Sequence, residues 1–387
     1  VKNVLDLQKM NLENLITDLI KIESISPRDK GCFDIIEPIL TDLGFKSERI
    51  DYKNVENLYS VYGNDGPTFC FLGHTDVVPT GPEELWTHPP FSGKNVDGRI
   101  FGRGAADMKG NICAFIKALT EFIKTKEDKN FRIAILLTSN EEGESSDGFI
   151  DVLLDKLIQR GEKIDYCLVG EPSSSEKVGD TIRIGRRGSL SGKLKVIGKQ
   201  GHIAYPEKII NPIFLISDII TELREKKWDA GNDHFQPTSF QISNINSGTG
   251  AGNIVPGELE MDFNFRFCSE STSEDLIKEF EKILDSHKVD YKVEWNLSGL
   301  PFLTTKTFFV DLVIDSIKRV LGREPVINNG GGTSDGRFMP VMDAEIVELG
   351  PLNDSIHKID ENVSIKDLED LSKIYLEILN SISISNS

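Results

Sequence analysis

Five short segments concentrate the side chains that could do chemistry. Gly73-His74-Thr75-Asp76 sets an imidazole two residues from a carboxylate, and on extended backbone such residues leave from one side of the chain. A histidine that ligates a metal almost always gives its other ring N–H to a neighbouring acceptor. His74 is therefore a candidate ligand and Asp76 the group that fixes its ring, although for this dyad alone a hydrogen-bonded structural histidine is the better bet. Gly102 to Gly110 carries Asp107 in a glycine-rich loop before a helix beginning near Asn111. There it is either a ligand approached closely by permissive backbone or an ordinary helix-capping aspartate. Ser139-Asn140-Glu141-Glu142-Gly143 places two glutamates side by side, and neighbours on extended backbone point in opposite directions. One could hold a cation while the other serves as a base toward its water; a solvated acidic turn is the local alternative. Val169-Gly170-Glu171-Pro172 and Gly350 to Lys358 add Glu171 and His357.

Each segment is ambiguous alone, but together they offer two histidines and three carboxylates as candidate ligands. Two histidines, two terminal carboxylates and one shared carboxylate make two three-ligand sites, the open coordination that catalytic zinc requires.

The elements around these segments place them consistently. Short apolar runs at Phe69–Leu72, Ile133–Leu137 and Tyr166–Val169 each end at one of the polar groups, as buried strands would. Helical periodicity at Leu5–Ile22, Cys32–Leu43, Ile112–Ile123 and Phe149–Ile158 completes an α/β alternation. Ligands of such sheets bind beyond the carboxyl ends of the strands. From about Gly188 to Leu300 the order becomes strand (Leu190–Ile197), helix (Pro212–Lys226), strand (Ser239–Ile245), strand (Leu259–Phe267), helix (Ser273–Ser286), strand (Tyr291–Asn296), that of a ferredoxin-like unit. A helix at Phe308–Leu321, a strand at Glu345–Leu349 and a closing helix at Ile365–Leu379 resume the larger pattern, leaving Ser381–Ser387 as a frayed tail. The expectation is an α/β central-sheet domain formed by residues 1–187 and 301–387, interrupted by a ferredoxin-like α+β insertion at 188–300. Two domains also suit 387 residues, more than one hydrophobic core usually serves.

With 39% apolar and 27% charged residues the chain is globular rather than disordered. A net charge of −18 argues against a nucleic-acid partner, which would need clustered Lys and Arg. No apolar run reaches the roughly 20 residues of a membrane span and Val1 to Met10 carries no export signal, so the expectation is a cytoplasmic protein without membrane contact. Cys32, Cys70, Cys113, Cys167 and Cys268 are odd in number and widely spaced, which reads as core residues in a reducing compartment.

The ordered set Gly73–Pro79, Gly102–Gly110, Asn140–Gly143, Gly170–Pro172 and Ile356–Lys358 resembles the aminoacylase and carboxypeptidase superfamily of co-catalytic zinc enzymes, over nearly the whole chain. The resemblance implies two Zn2+ per subunit, with Co2+ or Mn2+ as substitutes: Asp107 bridging them, His74 and Glu171 completing one site, Glu142 and His357 the other. It makes Glu141 the general base. Within the superfamily, Gly185–Ser189, Gln200–Pro206, Gly252–Glu258, Phe265–Phe267 and Gly331–Phe338 are similar to members that hydrolyse a succinyl amide of a diamino diacid, a substrate with three carboxylates and one ammonium. Arginine forks and backbone N–H groups suit such an anion. By that likeness Arg186, Ser189, Tyr205, Asn253, Arg266, Gly332 and Thr333 contact substrate. His202 donates to the oxyanion of a neighbouring subunit's site, in a homodimer formed through the inserted domain. Thr80, Asp354 and Asp360 depart from the pattern, and none is a ligand. His88, His234 and His287 receive no role. A deacylase of simpler acyl amino acids, a non-catalytic metal-binding homologue and an acidic interaction module are the competing readings; Glu141 beside a full ligand set argues against the second.

Overall fold

The computed structural model describes residues 11–125, 132–143, 150–305 and 307–385. Its contacts divide the chain into two compact units: Val1–Gly185 with Leu303–Asn328 and Ser334–Ser387, and Arg186–Phe302 with Asn329–Thr333. The second takes in a five-residue return segment, 329–333, outside the 188–300 boundary read from sequence.

The first unit is built on a six-stranded sheet. Its elements are α1 (Leu12–Ile20), α2 (Cys32–Asp42), β1 (Lys46–Arg49), β2 (Asn57–Tyr62), β3 (Thr68–His74), α3 (Gly110–Thr125), β4 (Arg132–Thr138), α4 (Ile150–Gln159) and β5 (Tyr166–Val169). After the insertion, which supplies β6 to β9, it continues with α7 (Phe308–Leu321), β10 (Glu345–Glu348) and α8 (Ile365–Ser385). The strand order is β1-β2-β4-β3-β5-β10. β3 pairs parallel with both β4 and β5, and β5 with β10, whereas β1 and β2 are antiparallel additions. All seven residues of β3 are buried, as a strand covered on both faces must be. Phe71 stacks on Phe115 of α3 at 4.1 Å, and Tyr375 of α8 meets Phe71 edge-on. Because β3, β4, β5 and β10 run the same way, their carboxyl ends share one edge. There His74 lies opposite Thr138, and Val169 opposite Glu348.

The second unit comprises β6 (Gly188–Ile197), α5 (Pro212–Glu225), β7 (Ser239–Ser247), β8 (Glu258–Phe267), α6 (Ser273–Ser286) and β9 (Asp290–Gly299). They form an antiparallel sheet of order β7-β8-β6-β9. β8 alternates strictly between buried and partly exposed residues, and its inward Phe263 stacks on Phe280 of α6 at 4.5 Å.

Two ends differ from the sequence expectation. Asn11 caps α1 by accepting the Glu13 N–H at 2.8 Å, while Leu5–Met10 of the expected helix lie outside the described residues. The closing helix continues through the supposed tail to Ser385, because Ile382 extends the buried stripe of Ile378 by one more turn.

Candidate metal centre

The donor atoms gather at that shared edge of the first unit. His74, the last residue of β3, has its Nε2 3.3 Å from Asp107 Oδ1 and 3.6 Å from Glu171 Oε1. The other oxygen of Asp107 lies 3.2 Å from His357 Nε2, which is 2.8 Å from Glu142 Oε1. Asp107 thus presents one oxygen to the His74–Glu171 pair and the other to the His357–Glu142 pair. Ligands about 2.0–2.1 Å from a tetrahedral zinc stand about 3.3 Å apart, so these spacings fit donors that share cations. Glu141 belongs to the same cluster: one of its oxygens lies within 4.8 Å of donor atoms of both His74 and Glu171.

Local structure accounts for each placement. The carbonyl of Asp76 is the nearest acceptor for His74 Nδ1, at 2.9 Å, with the carboxylate farther off at 3.6 Å. A carbonyl two residues on suffices to fix the ring, which frees the Asp76 carboxylate for other work. It accepts the backbone N–H groups of Glu141 and Glu142, each at 3.1 Å, and the Ser26 hydroxyl. Asp107 sits in an irregular turn, Ala105–Lys109, whose N–H groups at Ala106 and Asp107 donate to buried Glu361 at 3.0 and 3.1 Å. Asn111 donates to the carbonyls of Gly170 and Leu349, tying the exits of β5 and β10 together, and the Tyr375 hydroxyl donates to Asn111 Oδ1 at 2.6 Å. Gly73 and Gly170 have no room for a β-carbon: at both, it would overlap the Met108 methyl. Ser26, Asn111, Glu361 and Arg103 had no functional signal in the sequence, because a residue that acts through backbone groups carries no spacing rule. Asp360 holds the Thr87 N–H and hydroxyl, both at 2.8 Å.

The electrostatics follow from burial. Loss of hydration favours a neutral His74, but Asp107, Asp76 and Glu171 outweigh it and hold the ring well above its ordinary value. Burial opposes charge on Asp107 as well, yet the hydrogen bonds of His357 and His74 keep its carboxyl well below the usual carboxylate range. Asp107 and Glu142 push His357 up to about 10. Glu141 is pushed well above the ordinary carboxylate value, by desolvation first and then by the charges of Glu171 and Asp335. A cluster this rich in carboxylates calls for positive charge, which a divalent cation would supply.

The remaining site residues read from sequence lie in the second unit. Arg186 is buried and donates to the Gly332 carbonyl at 3.0 Å, beside Thr333 in the return segment. Ser189 on β6 lies opposite Arg266 on β8 and accepts from Asn264 at 3.0 Å. Exposed His202 and Tyr205 have ring centroids 5.7 Å apart, and the Asn253 carbonyl accepts the neighbouring Ile203 N–H at 3.1 Å. His202 Nδ1 accepts the Ala204 N–H at 3.1 Å, so the neutral ring carries its proton on Nε2 and is a donor there. His88 packs on Phe101, and His287 pairs with Glu222 at 2.9 Å.

A family model described as Peptidase family M20/M25/M40 matches residues 70–381. A succinyl-diaminopimelate desuccinylase of Hydrogenovibrio crunogenus is 51% identical over 373 residues, 96% of this chain and 98% of that protein. One of Methylococcus capsulatus is 50% identical over 369 residues, 95% and 98%. Among solved structures, an M20 family metallo-carboxypeptidase from Sulfolobus solfataricus has a TM-score of 0.83 at 20% identity, covering 97% of this chain and all of that one. A Bacillus subtilis protein described as a dinuclear metal binding peptidase of the M20 family has a TM-score of 0.71 at 16% identity, with 96% and 98% covered. At these identities the solved structures speak to the fold alone.

Proposed function

The chain belongs to peptidase family M20/M25/M40, and from that premise we propose that it hydrolyses the succinyl amide of N-succinyl-diaminopimelate to succinate and diaminopimelate, in the supply of lysine and cell-wall precursor. It is a metal-dependent amidohydrolase by family, and its half-identical relatives are desuccinylases of that substrate. The observation that carries the dinuclear reading is Asp107, with one oxygen toward each His–carboxylate pair.

Bound zinc, or cobalt or manganese suited to the same N/O donors, would acidify a water and polarise the amide carbonyl. Glu141 takes the proton of the attacking water as its oxygen adds to the succinyl carbon, then returns it to the amine as the C–N bond breaks. Asp76 holds Glu141 by its backbone and His74 through its own carbonyl. His202, whose Nε2 is a donor, supplies a hydrogen bond to the oxyanion of the partner subunit's site in a homodimer built through the inserted unit. Arg186, Arg266, Ser189, Tyr205, Asn253, Gly332 and Thr333 hold the substrate carboxylates. Among the described residues no helix is long and apolar enough to cross a membrane, and we place the enzyme in the cytoplasm.

Metal content measured alongside hydrolysis of N-succinyl-diaminopimelate and N-acetylornithine tests this reading. The expected result is two divalent ions per chain and a strong preference for the succinyl substrate, since a site built to hydrogen-bond a carboxylate discriminates against an analogue that lacks it. Equal efficiency on the acetyl substrate would overturn the substrate assignment.

A further inference from the structure

We infer that the buried ion pair Arg103–Glu361 is a positioning device that sets the shared carboxylate of Asp107 against the His357 loop, and so governs the His357–Glu142 cation site. The inference rests on the dinuclear reading above.

The pair sits where three segments converge. Arg103 is 3% exposed and Glu361 fully buried, with Nη1 2.8 Å from Oε2. Glu361 Oε1 accepts the N–H groups of Ala106 and Asp107, and the Glu361 carbonyl accepts the Gly102 N–H at 2.8 Å. Arg103 Nη1 also donates to the Lys358 carbonyl at 3.1 Å, directly after His357, while Nη2 donates to the Pro79 carbonyl at 3.2 Å. The guanidinium lies over the Trp86 ring, 5.2 Å from its centroid. Among these contacts none is to a donor atom, so any effect on a cation passes through backbone position.

The two cation sites differ in how their histidines are held. His74 ends a strand, is 1% exposed and is oriented by the Asp76 carbonyl. His357 lies in a loop, with φ of 58° and a side chain 48% exposed. Its neighbour Lys358 is bound by Arg103, which is bound in turn by the carboxylate that holds Asp107. Loosening the pair shifts the shared Asp107 for both sites but frees the Lys358 carbonyl, and with it the loop of His357, for one alone, while His74 keeps its strand-borne anchors.

Calorimetric titration of the metal-free full-length chain with Co2+, with absorption spectra at each step, reads the two sites separately. Glu361→Ala and Arg103→Met are expected to weaken one step by about 10–100-fold, the usual loss for an outer-shell partner, and the other clearly less. His357→Ala should remove that same step, and combining it with Glu361→Ala should cost the surviving one no more than that lesser weakening. Glu361→Gln, which keeps an acceptor for the two N–H groups, should retain more affinity than Glu361→Ala. If Glu361→Ala gives no folded protein by circular dichroism, Glu361→Gln and Arg103→Lys decide. Wild-type affinities in every folded variant, or equal weakening of both steps, would overturn the inference. A wild-type chain that takes up a single cation would overturn the dinuclear reading instead.

Discussion

In the first unit the carboxyl edge of the sheet is crowded with charge: His74, Asp76, Asp107, Glu171 and Glu361 are all buried there. In the second, the interior is mostly Phe263, Phe265, Phe267 and Phe280, and of the candidate groups Arg186 and Ser189 are buried while His202, Tyr205 and Asn253 stand exposed. Buried charge is costly unless paired, so the first unit declares its ligand by its own geometry and displaced proton affinities. An exposed histidine is at ease in water and acquires a role only from what it meets. The buried cluster therefore has a physical rationale within one chain, whereas the role of an exposed group such as His202 depends on what it meets.

Removing metal should have the largest effect. Dialysis against a chelator is expected to abolish turnover, and Zn2+ or Co2+ to restore it; a fully active, chelator-resistant preparation would erase the contrast between the units. Glu141→Gln should come next, lowering kcat by about 10²–10⁴-fold with metal content intact by elemental analysis. Loss of metal instead would make Glu141 a ligand, a role its place beside His74 and Glu171 permits. His202→Ala should cost about 10²–10³-fold, the usual loss for one oxyanion donor, again with metal retained. Mixing it with Glu141→Ala and allowing subunit exchange should return about a quarter of wild-type activity, since about half the dimers are mixed and each has one competent site. No recovery despite proven exchange would place His202 in its own chain's site. The smallest effect on the centre should come from Phe280→Ala, expected to destabilise the second unit by about 3–5 kcal/mol. Its metal content should equal the wild type's; a loss would mean that the units share the metal site.

The sequence made the candidate ligand set legible because metal donors are confined to a few residue types, here at strand exits or in a glycine-rich loop, and His74, Asp107, Glu142, Glu171 and His357 meet in space. The helices and the strands from β3 onward were equally plain, since each carries an apolar period, but β1 and β2 were not. β1, whose residues are Lys-Ser-Glu-Arg, carries no such period and owes its existence to pairing with β2. The supports of the centre were hidden for a related reason. Asp76 turned out to act mostly on the backbones of two glutamates 65 and 66 residues away, and Glu361 on a turn some 250 residues distant. Main-chain amides are the same whatever the residue, so nothing in their identity points to the side chain that will bind them.

The Met108 methyl fills the volume in which a side chain at either Gly73 or Gly170 would begin. Those glycines lie beside His74 and Glu171, yet what holds them is volume rather than flexibility. In evolutionary terms positions 73 and 108 are coupled: alanine at 73 requires the Met108 methyl to move, while alanine at 170 must also displace the Phe71 ring. Shortening residue 108 first would open the path at 73, so Met108→Ala should make Gly73→Ala less damaging to folded yield than it is alone, whereas at 170 the Phe71 ring would still stand 2.6 Å from the new carbon. Drift at 73 is expected to follow change at 108, with the buried methionine as its gatekeeper, and 170 to stay glycine longer.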